Sequence, residues 1–398
     1  MNAHLQQLHR YPFEKLRELF AGATPVADQP ALSLGLGEPQ YPPPDFIAET
    51  LASHLSGLSK YPLTNGLLAL RQAITDWLSK RYQLTDNSLD PEQHVLPVNG
   101  TREALFAIAQ AIVDSSQSPV VAMTNPFYQI YEGAAILSGA APYYLNTPRQ
   151  TAYLPDFDSV PAAVWQRCQL IYICSPNNPT GSVIQCEHYS KLLNLADQYD
   201  FVIASDECYS EIYQDEDNPP IGLLQAAHQM GNTGFDHCIV FNSLSKRSSV
   251  PGLRSGFVAG NADIIQQFYR YRTYHGCAMP LPIQYASIAA WQDEQHVIDN
   301  RKRYRQTIND VYAVLNPVLS VDKPDGGFFL WPQTPMADTT FARELYINCN
   351  ITVLPGQYLS RKSEGVDPGQ NRVRLALVHS HHQCLTAAHH IRDFISNS

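Results

Sequence analysis

Ser243, Ser245 and Lys246 lie within four residues, and Arg254 follows the lysine by eight positions. Two hydroxyls and a guanidinium can hold a phosphate group, and the amine of a lysine can form an imine with an aldehyde. The apolar residues 238–242 just before this group predict a buried strand whose carboxyl end delivers Lys246 into a crevice. The spacing therefore predicts a site for a phosphorylated aldehyde.

Two other interpretations of this motif compete with that chemistry. A lysine after serines is common in solvated loops, and Ser243-x-x-Lys246 also fits the nucleophile pattern of penicillin-recognising enzymes. That pattern needs S-D-N and K-T-G elements as well. The nearest match to the first is Ser205-Asp206-Glu207, and the sequence contains no K-T-G. The nucleophile interpretation therefore fails.

Two further apolar runs end in polar residues that suit the same ligand. Residues 170–174 predict a strand, and a turn-rich stretch follows in which Asn178 can point at a ligand. Residues 201–205 predict another strand, after which come Asp206 and Tyr209. A pyridine ring accepts electrons best when its nitrogen is protonated, and a buried aspartate is the usual partner of that nitrogen. Together these residues indicate pyridoxal 5′-phosphate (PLP).

In this order the motifs resemble the class I and II aminotransferases of PLP fold type I, over nearly the whole chain. The resemblance implies an α/β fold: a large domain with a mainly parallel seven-stranded sheet flanked by helices, and a smaller α+β domain. It also implies a role for each matched residue: Lys246 forms the imine with PLP, Asp206 pairs with the pyridine nitrogen, Asn178 and Tyr209 bind the 3′-oxygen, and Ser243, Ser245 and Arg254 hold the phosphate.

Residues 99–102 extend the resemblance, because they follow a predicted strand and open an apolar-periodic helix. Unpaired amides at a helix N-terminus suit a phosphate. We therefore expect Gly100, Thr101 and Arg102 to bind the cofactor, and Tyr128 to stack on its ring, as the family places an aromatic residue there.

Two more segments match the family at single positions. Tyr61 resembles a tyrosine whose hydroxyl reaches the phosphate bound by the other subunit, which implies a homodimer with shared active sites. Gly37 lies in the segment that closes over the substrate. The same segment is not a dinucleotide loop, because Gln40 replaces the third glycine of G-x-G-x-x-G.

Residues 371–378 alternate charged and apolar side chains and resemble the strand that presents an arginine to the substrate's α-carboxylate. Arg374 fits this role better than Arg372. A guanidinium makes two parallel hydrogen bonds to a carboxylate, which fixes the Cα–H bond for cleavage. By resemblance the substrate-binding residues are Gly37, Asn178 and Arg374.

Residues 243–257 are very similar to bacterial succinyldiaminopimelate aminotransferases, above all in the Lys-Arg-Ser run, although Ser249 replaces the expected asparagine. This resemblance implies amino-group transfer between N-succinyl-LL-2,6-diaminopimelate and 2-oxoglutarate in bacterial lysine biosynthesis, with glutamate as the physiological amino donor. The succinyl arm carries another carboxylate, which needs a further arginine or a group of neutral donors. Arg17, Arg102 and Arg247 are candidates for that arginine.

Three other functions stay open. An aminotransferase specific for aspartate, aromatic amino acids or acetylornithine would keep every cofactor residue. A β-lyase on the same fold would release ammonia and pyruvate without needing an oxoacid. A PLP-sensing transcription regulator would carry an added DNA-binding domain, yet only about 30 residues precede the first cofactor-domain motif.

The composition suits a compact enzyme acting on small amino acids and oxoacids. A chain of 398 residues with 44% hydrophobic content predicts a large core and two domains. We assign residues 1–44 to an N-terminal arm and part of the small domain, 45–285 to the large PLP-binding domain, and 286–398 to the small C-terminal domain.

The same composition argues against other classes of protein. The formal net charge of −10 disfavours nucleic acid, and no run of about 18 uncharged apolar residues predicts a membrane span. Eight cysteines without C-x-x-C pairs predict reduced thiols in a cytoplasmic protein. The histidines between residues 379 and 390 match no zinc spacing, so no metal is expected.

Overall fold

The computed structural model describes residues 1–27, 29–85 and 87–397. Its α-helices are α1 Pro12–Leu19, α2 Asp45–Ser53, α3 Leu68–Tyr82, α4 Thr101–Ile112, α5 Gln129–Leu137, α6 Ala162–Trp165, α7 Cys186–Tyr199, α8 Leu223–Gln229, α9 Leu244–Arg247, α10 Ala262–His275, α11 Leu281–Gln292, α12 Gln295–Leu315, α13 Asp338–Cys349 and α14 His381–Asn397. Its strands are β1 Leu32–Ser33, β2 Val95–Val98, β3 Val120–Asn125, β4 Ala141–Asn146, β5 Cys168–Cys174, β6 Val202–Asp206, β7 Cys238–Ser243, β8 Gly256–Gly260, β9 Phe329–Leu330, β10 Ile351–Thr352, β11 Leu354–Pro355 and β12 Val373–Ala376. Short 3-10 helices span Ala3–Gln7, Leu55–Ser59, Ser115–Gln117, Arg149–Thr151, Phe157–Ser159, Pro251–Leu253 and Gly356–Tyr358.

Seven strands form one sheet in the order β2-β8-β7-β6-β5-β3-β4. Every neighbouring pair is parallel except the two pairs that involve β8. Cys174 on β5 pairs with Asp206 on β6, and Asp206 pairs with Phe241 on β7. The predicted α/β architecture with a mainly parallel seven-stranded sheet is confirmed, and the carboxyl ends of β5, β6 and β7 meet at one edge.

The central strands are buried on both faces, as their unbroken apolar runs predict. Side chains that alternate along a strand enter different cores. Ile171 and Ile203 face the core that includes Trp77 of α3. Tyr172 and Ala204 face a second core, which includes residues of α4, α5 and α10. Helices therefore cover the sheet on both sides and leave its carboxyl edge for the site.

The C-terminal part of the chain forms a smaller unit. An antiparallel sheet has the order β11-β12-β9, and β1 pairs in parallel with β10, so residues 32–33 join this unit. Helices α12, α13 and α14 contribute to a separate apolar core. The domain boundaries after residues 44 and 285 stay predictions.

The chain after the large sheet forms two separate helices, α11 and α12, with a short break between them. Asp293 between α11 and α12 is extended, with φ −103° and ψ 125°, and its carboxylate accepts from His296 N at 3.0 Å. This interaction starts a new helix and redirects the chain. Among the described residues, no helix is both long and apolar enough to cross a membrane.

Candidate active site

A cavity of about 540 Å³ opens at the carboxyl edge of the large sheet. Twelve of the fourteen predicted site residues line it: Gly37, Thr101, Arg102, Tyr128, Asn178, Asp206, Tyr209, Ser243, Ser245, Lys246, Arg254 and Arg374. The two predicted residues outside this lining are Gly100, which lies behind it, and Tyr61, which is exposed on the surface. The fold thus brings together motifs spread from residue 37 to residue 374.

Lys246 lies on the four-residue helix α9, which directly follows β7. Its Nζ donates to the carbonyl of Gly37 at 2.5 Å. Burial lowers the pKa of the Lys246 amine to about 8, and the positive charges of Arg374 and Arg254 act in the same direction. Near pH 8 about half of this amine is therefore uncharged and able to act as a nucleophile or base.

Asp206 ends β6 and is buried beneath the cavity. Its Oδ2 accepts from the Tyr131 hydroxyl at 2.7 Å, and its Oδ1 accepts from Cys208 N at 3.2 Å. Burial raises the pKa of the Asp206 carboxyl, while these two donors act against that rise. A cationic ring nitrogen beside this carboxylate would compensate its buried charge.

Gly100, Thr101 and Arg254 form a cradle for an anion. Gly100 precedes α4 with φ +83°, and Arg254 also has a positive φ of 53°. A Cβ on Gly100 would lie 2.3 Å from Arg254 Nη2, so only glycine lets this guanidinium approach the amino end of α4. Ser243 Oγ accepts from Ser245 N at 3.4 Å and so orients the neighbouring hydroxyls.

Arg374 extends from β12 into the same cavity. Its Nη1 donates to Asn178 Oδ1 at 2.9 Å and its Nη2 donates to the carbonyl of Gly35 at 2.6 Å. Its Nε is buried and has no hydrogen-bond partner among the described residues. Burial lowers the pKa of the guanidinium to about 10. Arg374 is thus a buried cation with unused donor capacity, which suits a carboxylate ligand.

Arg372, two residues earlier, is directed elsewhere. Its Nη1 donates to the carbonyl of Trp331 at 2.9 Å, and its guanidinium stacks over the ring of Tyr153. It does not appear among the residues that line the cavity. Arg372 lies just before β12 and its contacts hold it away from the cavity, in agreement with the preference for Arg374.

Aromatic side chains form much of the remaining wall. Tyr209 is buried, its pKa is raised well above the usual range by burial, and its ring meets Phe329 with centroids 5.4 Å apart. Tyr128 is half-buried and meets Tyr131 edge to face at 5.8 Å. These rings give the cavity apolar surfaces around its charged groups, as expected for a pocket that holds a planar ligand.

The family description "Aminotransferase class I and II" matches residues 29–391 of this chain. The chain belongs to this family. A crystal structure of an aminotransferase from Neisseria meningitidis Z2491 is 46% identical, with a TM-score of 0.95, over 99% of this chain and 100% of that chain. Aminotransferase AspB from Helicobacter pylori 26695 is 34% identical, with a TM-score of 0.90, over 98% of this chain and 100% of that chain.

Curated relatives of this aminotransferase are named for a particular substrate. The LL-diaminopimelate aminotransferase of Maridesulfovibrio salexigens is 31% identical over 340 residues, which cover 84% of this chain and 85% of the relative. The sequence resemblance predicted a succinylated diaminopimelate instead. These similarities establish the family of this chain, and the substrate named for the relative is a diaminopimelate without a succinyl group.

Several residues of this aminotransferase site were not singled out from the sequence. Tyr131 lies on the first turn of α5, three positions after Tyr128, which directly precedes that helix, and this short spacing could have signalled it. Cys208 lies against Thr101, with Sγ and Oγ1 3.0 Å apart. Tyr11 and Phe13 are different, because the sequence left open whether this N-terminal arm packs on a partner subunit or covers the active site, and both residues line the cavity. Within residues 1–27, 29–85 and 87–397, no cluster of three His, Cys, Asp or Glu side chains could hold a metal ion.

Proposed function

We propose that this aminotransferase uses PLP to transfer an amino group between N-succinyl-LL-2,6-diaminopimelate and 2-oxoglutarate, in lysine and diaminopimelate biosynthesis. The observation that carries the proposal is the convergence of Lys246, Asp206 and Arg374 on one cavity, with a further cation, Arg102, at the same cavity. The first three residues support transamination. The fourth supports an additional acidic group on the substrate.

The donor set fits PLP. The amino end of α4, the hydroxyls of Thr101, Ser243 and Ser245, and Arg254 offer donors suited to a phosphate dianion. The missing Cβ of Gly100 leaves room for Arg254 at that point. Asn178 and Tyr209 would hold the ring's 3′-oxygen, Asp206 would pair with the ring nitrogen, and Tyr128 would cover the ring. When bound, PLP supplies an electron-accepting ring beside the substrate's Cα.

The residues of the chain divide the chemical work. In its uncharged form, Lys246 Nζ can take the proton from the substrate's Cα, hold it on the amine and later return it to the bound reactants. Arg374 holds the α-carboxylate through a planar fork, which fixes the direction of the Cα–H bond. Asp206 would hold a negative charge beside the ring nitrogen of bound PLP, and the Tyr131 hydroxyl supports that charged form.

Three arginines were considered for the second acidic group, and Arg102 alone among them lines the cavity. Arg247 is buried and donates to the carbonyl of Ala290 at 2.7 Å, so it does not face the cavity. Arg17 is exposed and lies outside the lining. Arg102 lines the cavity and stacks over Tyr11 at 5.5 Å. No carboxylate of the described residues forms an ion pair with Arg102, so its charge is available to a ligand.

The charge of the cavity supports a succinylated donor over free LL-diaminopimelate, which is the substrate in the names of the curated relatives. Four cations line the cavity, whereas Asp206 is the single carboxylate among the described lining residues. Free LL-diaminopimelate carries a distal ammonium beside its distal carboxylate, and that ammonium would meet no acidic partner among the described lining residues. Succinylation removes that ammonium and adds a carboxylate, which suits the unpaired Arg102.

We also propose that the active unit is a homodimer. Residues 55–68 present an exposed apolar surface that includes Leu55, Leu58, Leu63 and Leu68, and Tyr61 is fully exposed among them. An apolar patch of this kind is typical of a protein interface. Covering it with a second copy would let Tyr61 of one subunit reach the phosphate site of the other. Light scattering of the purified protein tests the dimer, and a monomeric active protein would refute it.

Substrate profiling tests the proposed reaction. PLP-loaded protein is mixed with 2-oxoglutarate and, in turn, N-succinyl-LL-2,6-diaminopimelate, LL-diaminopimelate, N-acetylornithine, aspartate or phenylalanine, and glutamate formation is measured. The proposal expects the succinylated donor to give the highest kcat/KM. Preference for another donor would keep the transaminase and refute the substrate. Absence of glutamate with every donor would refute both.

A further inference from the structure

Residues 247–249, which directly follow Lys246, contact the beginning of α12 and do not line the cavity. Asn300 Nδ2 donates to the carbonyls of Lys246 and Arg247, at 3.0 and 3.2 Å. Asn300 Oδ1 accepts from Ser249 Oγ at 3.2 Å. One buried amide thus uses both its donors and its acceptor on a single segment of main chain and side chain.

Two neighbouring contacts strengthen this attachment. His296 Nε2 lies 2.8 Å from Ser248 Oγ, while the other ring nitrogen of His296 lies 2.5 Å from Asp293 Oδ1. Arg247 forms an ion pair with Glu294 and is buried between aromatic rings. We call this set the lysine clamp: Glu294, His296 and Asn300 on the α12 side, and Arg247, Ser248 and Ser249 on the other.

The clamp meets a specific need of α9. The last carbonyls of any helix have no partner within the helix, and α9 has only four residues. Lys246 O and Arg247 O are among these carbonyls, and Asn300 supplies the missing donors. Without it, these two carbonyls would lose their side-chain donor, and the segment would be held by the side chains of Arg247 and Ser248 and by the main-chain bond of Leu244 to Ser255.

The anchor itself is rigid. Beyond its first turns, α12 places Tyr304, Ile308 and Val311 in the core of the C-terminal unit. The main chain of Lys246 is therefore hydrogen-bonded to a long, well-packed helix that does not itself line the cavity. A small shift of this main chain would move Nζ relative to the substrate.

We propose that Asn300 is a positioning residue for Lys246, acting through the main-chain carbonyls of α9 and not through contact with substrate or cofactor. The inference rests on the proposed function, since it concerns the lysine assigned there as nucleophile and base. It also explains the Lys-Arg-Ser-Ser run in physical terms: three of its four side chains hold α12, and only Lys246 faces the cavity.

The test compares Asn300→Ala and Asn300→Asp with the matched control Asn309→Ala, which changes the same residue type on the same helix. Asn300→Asp keeps the acceptor for Ser249 but removes both donors to α9. Ser249→Ala, which only removes the partner of Asn300 Oδ1, is a milder variant should Asn300→Ala not fold. For each we measure kcat, KM, the melting temperature and the pH midpoint of the absorbance of bound PLP.

For both Asn300 variants we expect kcat to fall about 10-fold or more with KM within about twofold of wild type. The absorbance midpoint should shift by about half a pH unit or more, because the surroundings of Lys246 Nζ change. Ser249→Ala should lower kcat and shift the absorbance midpoint in the same directions but by less. Asn309→Ala should change neither kcat nor the midpoint.

If the Asn300 variants only lower the melting temperature, and otherwise match Asn309→Ala, the clamp is structural and the inference is overturned. A rise in KM at unchanged kcat would also overturn it. Wild-type protein that takes up no PLP would instead overturn the proposed function. The two failures are therefore distinguishable.

Discussion

The hydroxyl of Tyr131 donates to Asp206 Oδ2 at 2.7 Å, inside the sheet edge and out of contact with solvent. This bond stabilises the charged form of a carboxyl whose pKa burial raises. It therefore bears directly on whether Asp206 can hold a cationic ring nitrogen. Tyr131 in turn lies parallel to Tyr172, with ring centroids 4.7 Å apart, which fixes the direction of its hydroxyl.

Replacing Tyr131 with Phe should weaken both cofactor binding and turnover. A hydrogen bond to a charged group contributes about 1.5–3 kcal/mol, so we expect kcat/KM to fall about 10- to 100-fold. Loss of the donor also raises the pKa of Asp206 further, so activity should disappear at a higher pH on the acid side than in wild type. A pH–rate profile of both proteins measures this. An unchanged acid limb would contradict the assigned role.

The matched substitution Tyr144→Phe serves as the control. The Tyr144 hydroxyl also donates to a buried carboxylate, Glu132 Oε1, at 2.6 Å. Tyr144 does not line the cavity. The substitution Tyr144→Phe should therefore lower the stability of the protein without moving the acid limb of the pH–rate profile.

Gly100→Ala should remove most of the affinity for PLP. The new Cβ would lie 2.3 Å from Arg254 Nη2, and the arginine would have to withdraw from the amino end of α4. Losing a charge-assisted contact to the phosphate corresponds to a dissociation constant about 10- to 100-fold higher. Fluorescence titration of cofactor-free protein with PLP measures this constant.

Gly231→Ala is a control that separates the clash from backbone strain. Gly231 has the same φ of +83°, but a Cβ there would meet nothing within 4 Å. Both variants therefore place an alanine at a positive φ, and Gly100→Ala adds an extended ψ of 153° and the displacement of Arg254. Equal affinity for PLP in the two variants would refute the cradle.

The pKa of Lys246 predicts how cofactor uptake depends on pH. The uncharged amine is the reactive form, and burial lowers its pKa from an ordinary value of 10.5 to about 8. The rate at which cofactor-free protein takes up PLP should therefore rise from pH 7 through a midpoint near 8 and level off above it. Stopped-flow absorbance measures this rate. A rate that keeps rising to pH 10 would show that the amine behaves as an ordinary lysine.

Removing the charge of Arg374 should move that midpoint. Its positive charge disfavours the protonated amine, so Arg374→Gln should raise the pKa of Lys246 and shift the midpoint upward. Arg372→Gln removes the arginine that lies just before the same strand, and Arg372 does not line the cavity. It should leave the midpoint where it is in wild type.

The motifs at strand ends could be predicted from the sequence because a parallel sheet gathers its carboxyl ends at one edge. Apolar runs locate the strands, and the polar residue that follows each run must face that edge. Lys246, Asp206 and Asn178 were found in this way, and the structure brings them together. The fold class followed from the resemblance of these motifs, in their order along the chain, to a known family.

Other features depend on contacts that sequence spacing does not encode. Arg247 looked like a candidate for substrate, yet it is buried against Trp291 and Glu294, which lie more than 40 positions along the chain. The break between α11 and α12 arises from the capping contact of Asp293. The partner of the exposed Tyr61 in the proposed dimer would come from a second chain. These outcomes are decided by tertiary or quaternary packing.

Arg102→Gln is the sharpest test of the second acidic group. Its guanidinium lines the cavity and has no carboxylate partner among the described residues, so the substitution should change recognition more than stability. Losing one charge-assisted contact should raise KM for N-succinyl-LL-2,6-diaminopimelate about 10- to 100-fold. The rise in KM for glutamate should be much smaller, because glutamate lacks the succinyl arm.

Arg17→Gln makes the same chemical change outside the cavity and should alter neither KM. Because the two variants carry the same net charge, a difference between them cannot come from long-range attraction of an anionic substrate. Only a local contact with the distal group then explains a selective loss in Arg102→Gln. Equal losses for the succinylated donor and glutamate would instead place Arg102 among the residues that serve every substrate, through the phosphate or the α-carboxylate, and the succinyl group would need another partner.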